Sequence, residues 1–414
     1  MPDCDEPFVR VALADLVLGD DVVAAAAARA ITAAARWPRL IELAVGWRVV
    51  PQVYEALRRC GADDDFDAVL RARFVGYVLA NAQRTASMVR TCASVQDLLT
   101  QAGVVSVAIK GIAMIATIYG SASRRMVADV DLVIEGDRLA QARAALEGAG
   151  FADVSPPFES HVAAIGSSRV LHNYARTFVR DGIEIDLHWQ FGPRPPAALG
   201  ARRIVERSVV ASAERVHVRA SGPIETALVA VHHALRSSFP ATGTLKDAAD
   251  LAAWWQRFGD ARGDALIAAA RENGLASSLL ALGRVIAHRN AGAAIARGVT
   301  AMETSLSQAE RREAERLRAF VERNLRGESP DDTTVELLAP AVFIRSIVAP
   351  LLRSVRRGGA NAKGESGTVS GIRRPLPVRI RARLDRAGRI SRELLRFERV
   401  ASYRAVARAQ SRFH

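Results

Sequence analysis

The stretch Val104–Ile134, VVSVAIKGIAMIATIYGSASRRMVADVDLVI, decides how the chain reads. It opens with an apolar run, Val104 to Ile109, whose length and β-branching predict a buried strand. Lys110-Gly111 follows as a turn, after which Ile112, Ile115 and Ile118 recur at roughly helical spacing. A polar turn carries Arg124 and Arg125, and a further strand opens on Asp129-Val130-Asp131. The order is therefore strand, glycine turn, helix, and a strand that bears two aspartates.

That order suits phosphate chemistry. Asp129 and Asp131 are two apart on a strand, so both carboxylates project from one face. Hard divalent cations take oxygen ligands of this kind while also touching substrate phosphates. A cation so placed neutralises phosphate oxygens and lowers the pKa of an attacking hydroxyl. A third carboxylate is expected from Ile183-Glu184-Ile185-Asp186-Leu187-His188-Trp189, whose alternation puts Glu184, Asp186 and His188 on one face. Asp186 is the first candidate and Glu184 the second. His188 either assists an acceptor hydroxyl or is a hydrogen-bonded histidine at the sheet edge. Gly111 lets backbone approach a triphosphate at a helix start, and Lys110 and Arg125 complement phosphate charge. Each signal alone is weak; their order on the right elements gives them weight.

Outward from this stretch the chain alternates in character. Residues up to about 100 read as helical, with Asp20-Asp21 as a cap before Val22–Trp37 and a long periodic segment from Asp65 through Leu99. Segment 101–190 mixes strands and helices. Asp181-Gly182 between two alternating runs predicts a tight hairpin, and the stretch from Ala152 to Arg169 an irregular loop. Helices return from about 200 to 325. There His232-His233 point in different directions, and Asp247 and Asp250, three apart on a helix, face either the cleft or, by default, solvent, the solvated face being the expectation. Ser354 to Pro377 reads as a linker. The expected fold class is α+β: a small mixed-sheet core (101–200) between helical N-terminal (1–100) and C-terminal (201–350) regions, with a basic linker and tail (351–414).

The totals bound the function classes. A chain of 414 residues, half of them hydrophobic and 6% aromatic, exceeds a typical single core. The net charge of +13 suggests nucleic acid until its distribution is read. Of 57 basic and 44 acidic residues, 17 and 4 lie in Leu351–His414, which leaves 40 of each sign before it. The body is neutral, and the excess belongs to the tail. Arginines interleaved with Leu and Ile there suit anionic lipid or nucleic acid, or make a generic adhesive extension. Cys4, Cys60 and Cys92 suggest neither a disulfide framework nor a zinc site, which fits a reducing cytoplasm. An acidic N-terminus and the absence of a long apolar span predict a soluble, cytoplasmic protein.

The chain resembles the uncharacterised nucleotidyltransferase family of bacteria, within the DNA-polymerase-β-like nucleotidyltransferase superfamily. Lys110-Gly111, Tyr119, Arg125-Met126-Val127-Ala128-Asp129-Val130-Asp131-Leu132-Val133 and Asp186-Leu187-His188-Trp189 carry the resemblance, with a fainter echo at His232 and Leu245–Leu251. It spans about residues 30 to 325. Gly111 is followed by Ile112 where many relatives place Gly or Ser. The resemblance implies a mixed sheet with flanking helices, phosphate binding at Lys110-Gly111, and metal ligands at Asp129, Asp131 and Asp186. The expected activity is Mg2+- (or Mn2+-) dependent transfer of a nucleoside monophosphate from an NTP to an acceptor, with release of pyrophosphate. Small molecules, glycans, peptides and proteins are all open as acceptors. The other reading is a catalytically inactive nucleotide-binding or scaffolding protein.

Overall fold

Seven strands make one mixed sheet: β1 Val107–Ala108, β2 Val130–Val133, β3 Ala152–Asp153, β4 Ala175–Arg180, β5 Ile183–His188, β6 Val209–Ala213 and β7 Val216–Ala220. Their spatial order is β3-β4-β5-β2-β1-β7-β6. The computed structural model describes residues 6–63, 66–155, 175–191, 197–236 and 242–326, all within one compact unit. Most of the expected loop after Ala152, the linker and the basic tail lie outside these residues.

Both hairpins turn through left-handed backbone. Asp181 (φ 53°) and Gly182 (φ 73°) give the two-residue turn between β4 and β5 that the sequence predicts. The β6–β7 hairpin replaces helix in a region expected to be helical. Its turn is Glu214-Arg215, with φ 50° and 66°. Neither residue advertises positive φ, so no Asn-Gly or Asp-Gly signal marked the turn.

The sheet is mixed because of its centre. β2 runs parallel to β5, β1 antiparallel to β2, and β1 parallel to β7. Alternation then divides the two faces. Val130, Leu132, Ile185, Leu187, Phe178 and Val218 pack with Met88, Val89, Cys92, Val95 and Leu99 of helix α5, Ala68–Gln101. The side chain of Asp67 caps that helix by accepting from the Leu70 N–H at 2.7 Å. Buried Gln96 fastens α5 to the sheet: its Nε2 donates to the Arg219 carbonyl at 2.7 Å, and its Oε1 accepts from the Arg219 N–H at 2.9 Å.

Val107, Ile109 and Val133 face the other way, into a cluster shared by both helical regions. Its N-terminal part comes from α1 Glu6–Leu18, α2 Asp21–Ala33, α3 Trp37–Gly46 and α4 Val50–Arg59. Asp20 caps α2, accepting from the Val23 N–H at 3.0 Å. After β1 come the short α6, Lys110–Met114, which continues into a π-helical turn Ile115–Tyr119, and then α7 Leu139–Gly148 and α8 Ala201–Glu206. The C-terminal part of the cluster comes from α9 Pro223–Arg236, α10 Thr242–Glu272, α11 Ala276–Ala287, α12 Ala293–Ser305 and α13 Gln308–Arg326. Among the described residues, no helix is long and apolar enough to cross a membrane.

Candidate active site

Strand register brings the acidic groups together. Asp131 on β2 and Asp186 on β5 are direct partners in the parallel pair, and alternation keeps His188 on the Asp186 face. One donor atom from each of Asp131, Asp186 and His188 lies within 4.8 Å of the other two.

Asp131 is the pivot of this group. It is 3% exposed, and its Oδ1 accepts from Lys110 Nζ at 2.5 Å. The same oxygen meets His188 Nε2 at 2.9 Å. An ionised carboxylate only accepts, so the ring nitrogen is the donor. Phe191 stacks on the imidazole at 5.8 Å and 5°, which fixes its plane. Thr177 on β4 donates from Oγ1 to Asp186 Oδ1 at 2.6 Å.

The two carboxyls are driven apart in acidity. Burial pushes Asp131 upward, but the Lys110 ammonium and the His188 hydrogen bond outweigh it and hold this carboxyl well below the usual range. Asp186 goes the other way, to about 6, through burial and then the Asp131 charge beside it, with Asp129 adding to the effect. For Lys110, burial is opposed and exceeded by Asp131, Asp129 and Asp186, so its ammonium is reinforced. Two carboxylates and an imidazole this close make a donor set able to hold a divalent cation.

Asp129 lies just ahead of β2. It lines the same cavity as Lys110 and Asp131, and its charge acts on both Lys110 and Asp186, but it stands outside the three-residue donor group. Glu184 is exposed at the far end of β5, opposite Val179, and is also outside that group.

The Lys110-Gly111 turn is built differently from its sequence expectation. The left-handed residue is Lys110, at φ 52°. Gly111 is required for packing, because a Cβ there would come within 2.9 Å of Val127 Cγ2 and 3.2 Å of Arg125 Nη1. Both residues still line the cavity, whose volume is about 140 Å³.

Arg125, nominated for phosphate, gives most of its guanidinium to Asp250. Nε donates to Oδ1 at 2.8 Å, Nη2 to Oδ2 at 2.6 Å, and Nη1 to the Met126 carbonyl at 2.8 Å. Both partners are buried, at 2% and 1% exposure, and the Tyr119 hydroxyl donates to Asp250 at 2.9 Å. Buried Asn81 of α5 donates to the carbonyl of Arg125 at 3.3 Å, while Glu214 accepts from the Ala122 N–H at 2.8 Å. The loop leading to Asp129 and Asp131 is thus held from three sides. The solvated face expected for Asp247 and Asp250 is instead buried wall: α10 packs on α9, and His233 Nδ1 lies 2.6 Å from Asp247 Oδ2.

Against this geometry, the profile of the family described as "Uncharacterised nucleotidyltransferase" matches residues 33–290, well over half of the chain. The chain belongs to this nucleotidyltransferase family. The matched span includes every residue named in the site. Membership supports transfer of a nucleoside monophosphate in general terms. The solution structure of the antibiotic-resistance factor ANT(2'')-Ia is similar over 47% of this chain and 95% of that one, at 13% identity and a TM-score of 0.33. No curated protein matches the chain.

Several residues of this nucleotidyltransferase site were not nominated from the sequence. Thr177 was open to discovery: counting outward from Asp181-Gly182 sets it opposite Asp186. Arg48, Lys246 and the Arg125–Asp250 pair carried no local signal, because they meet only through tertiary packing.

Proposed function

We propose that the protein transfers a nucleoside monophosphate from an NTP to an acceptor and releases pyrophosphate, using a divalent cation, Mg2+ or Mn2+. The observation that carries this reading is the Asp131–Asp186 register pair, joined by His188 and Lys110, with Asp131, Asp129 and Lys110 lining one cavity. Asp129, Asp131 and Asp186 are the proposed catalytic and metal carboxylates, with His188 able to complete the donor set and Glu184 more remote. A bound cation would neutralise phosphate oxygens and favour ionisation of the attacking hydroxyl.

The side chains perform the remaining work. The acceptor oxygen forms a bond to the α-phosphorus as the bond to the β-phosphate oxygen breaks. Asp186 is the carboxylate placed either to hold the cation that activates the hydroxyl or to receive its proton. Lys110 and Gly111 face the nucleotide phosphates at the turn. Arg125 contributes by holding the loop that presents Asp129 and Asp131. The acceptor is a hydroxyl-bearing small molecule, glycan, peptide or protein, and the setting is the cytoplasm.

Incubation with each of four α-labelled NTPs, Mg2+ and cell extract tests the reading. Covalent transfer of label from at least one NTP is expected in the wild type, with a loss of at least about a hundredfold in Asp131→Asn. Transfer that persists undiminished in a folded Asp131→Asn protein would contradict it.

A further inference from the structure

The cavity has a second wall, made by helices, whose charges the carboxylate cluster does not use. Lys246 of α10 and Arg48 both line the cavity together with Lys110, Asp129 and Asp131. Two other charges on this wall are matched within the protein, Arg125 by Asp250 and Asp247 by His233. Among the described residues, the side chains of Arg48 and Lys246 make no hydrogen bond or ion pair.

Both side chains are held at the cavity by the backbone that carries them. Arg48 sits at φ 58° in the connection between α3 and α4, a left-handed conformation that disfavours side chains. Its neighbours Trp47 and Val49 are buried, so the chain spends its apolar contacts on either side and leaves Arg48 at the cavity. The ammonium of Lys246 is disfavoured first by burial, and the charges of Arg125 and Arg48 also act against it despite Asp247 and Asp250 nearby. Two cationic side chains that line one small space, one of them exposed and the other half-buried, offer an entering anion two charged donors.

We propose that Arg48 and Lys246 form a phosphate subsite that takes the pyrophosphate portion of the nucleotide, the part that leaves in the reaction. The assignment rests on reading the cavity as a nucleotide site. The size is consistent: about 140 Å³ is below the roughly 300 Å³ at which pockets for whole ligands begin, so this space encloses a phosphate chain rather than a whole nucleotide. The phosphate chain enters between the two walls, with the transferred phosphorus toward Asp131 and the departing phosphates toward Arg48 and Lys246. Arg125, tied to Asp250, leaves this task to the other two cations.

Calorimetric titration of the full-length protein with inorganic pyrophosphate in EDTA isolates the subsite from the carboxylates. Wild type should bind, and Lys246→Met and Arg48→Met should each weaken binding by about tenfold or more, the effect of losing one charged hydrogen bond. A native circular dichroism spectrum and a cooperative thermal transition would show that Lys246→Met has kept its fold. No pyrophosphate binding by wild type, or unchanged binding in both cation variants, overturns the subsite. Glycerol 3-phosphate binding as tightly as pyrophosphate and depending equally on both cations would overturn its assignment to the leaving group in favour of an anionic acceptor. Pyrophosphate binding that requires both cations, in a protein that turns over no NTP, would uphold the subsite while removing the transfer reading.

Discussion

One oxygen of Asp131 takes both the Lys110 ammonium and the His188 ring nitrogen, while its register partner Asp186 is left to absorb the repulsion. The consequence is a pH dependence with a definite sign. Asp186 rises from the ordinary 3.8 to about 6 on folding, so between those values the native state keeps a proton that the unfolded chain has released. Its contribution to stability is therefore greatest below pH 4 and declines as pH rises through 6. Urea unfolding in EDTA should show the wild-type advantage over Asp186→Asn falling by roughly 1 to 2 kcal/mol between pH 4 and 6.5, then staying level. A constant difference across that range would mean that Asp186 is not elevated. This part of the site was legible because strand alternation is a local rule. Period two aligned Glu184, Asp186 and His188, and hairpin counting reaches Thr177. Which acidic group joins Asp131 most closely was not legible, since it depends on the parallel pairing of β2 with β5.

At the level of elements, the loop from Tyr119 to Asp129 is fastened to α10 by a buried ion pair across 125 residues of sequence. Asp250→Asn would strand the Arg125 charge in a dry site, and a loss of about 3 to 5 kcal/mol is expected in chemical denaturation. Tyr119→Phe removes one hydrogen bond to the same carboxylate and should cost only about 1 kcal/mol. Equal, small losses in the two variants would show that the pair does not hold the loop. Sequence periodicity gave Asp250 a place on a helix but no partner, and a charged residue without a visible partner defaults to solvent. The same limit hid Lys246 and Arg48. The β6–β7 hairpin escaped for another reason: Glu214-Arg215 adopts positive φ without the residues that normally announce it.

On the scale of the whole molecule, N-terminal and C-terminal helices contribute to one apolar cluster on one face of the sheet. β7, from beyond residue 200, pairs directly with β1. We propose that the α+β core is not an independent folding unit. A fragment of residues 101–200 should lack cooperative thermal unfolding by circular dichroism, whereas an autonomous domain would melt sharply. The basic residues of 351–414 carry the whole net charge, so their proposed contact with anionic surfaces is separable from the near-neutral body. The central claim is a cation-dependent nucleotide site at Asp131 and Asp186, and equilibrium binding tests it most directly. Titration of the full-length protein with ATP, CTP, GTP and UTP, with and without Mg2+, should show at least one NTP whose binding is strengthened at least about tenfold by the cation. Asp131→Asn and Asp186→Asn, checked for native circular dichroism, should lose that cation-dependent gain; a gain for none of the four with folded wild type, or its survival in both variants, would contradict the account.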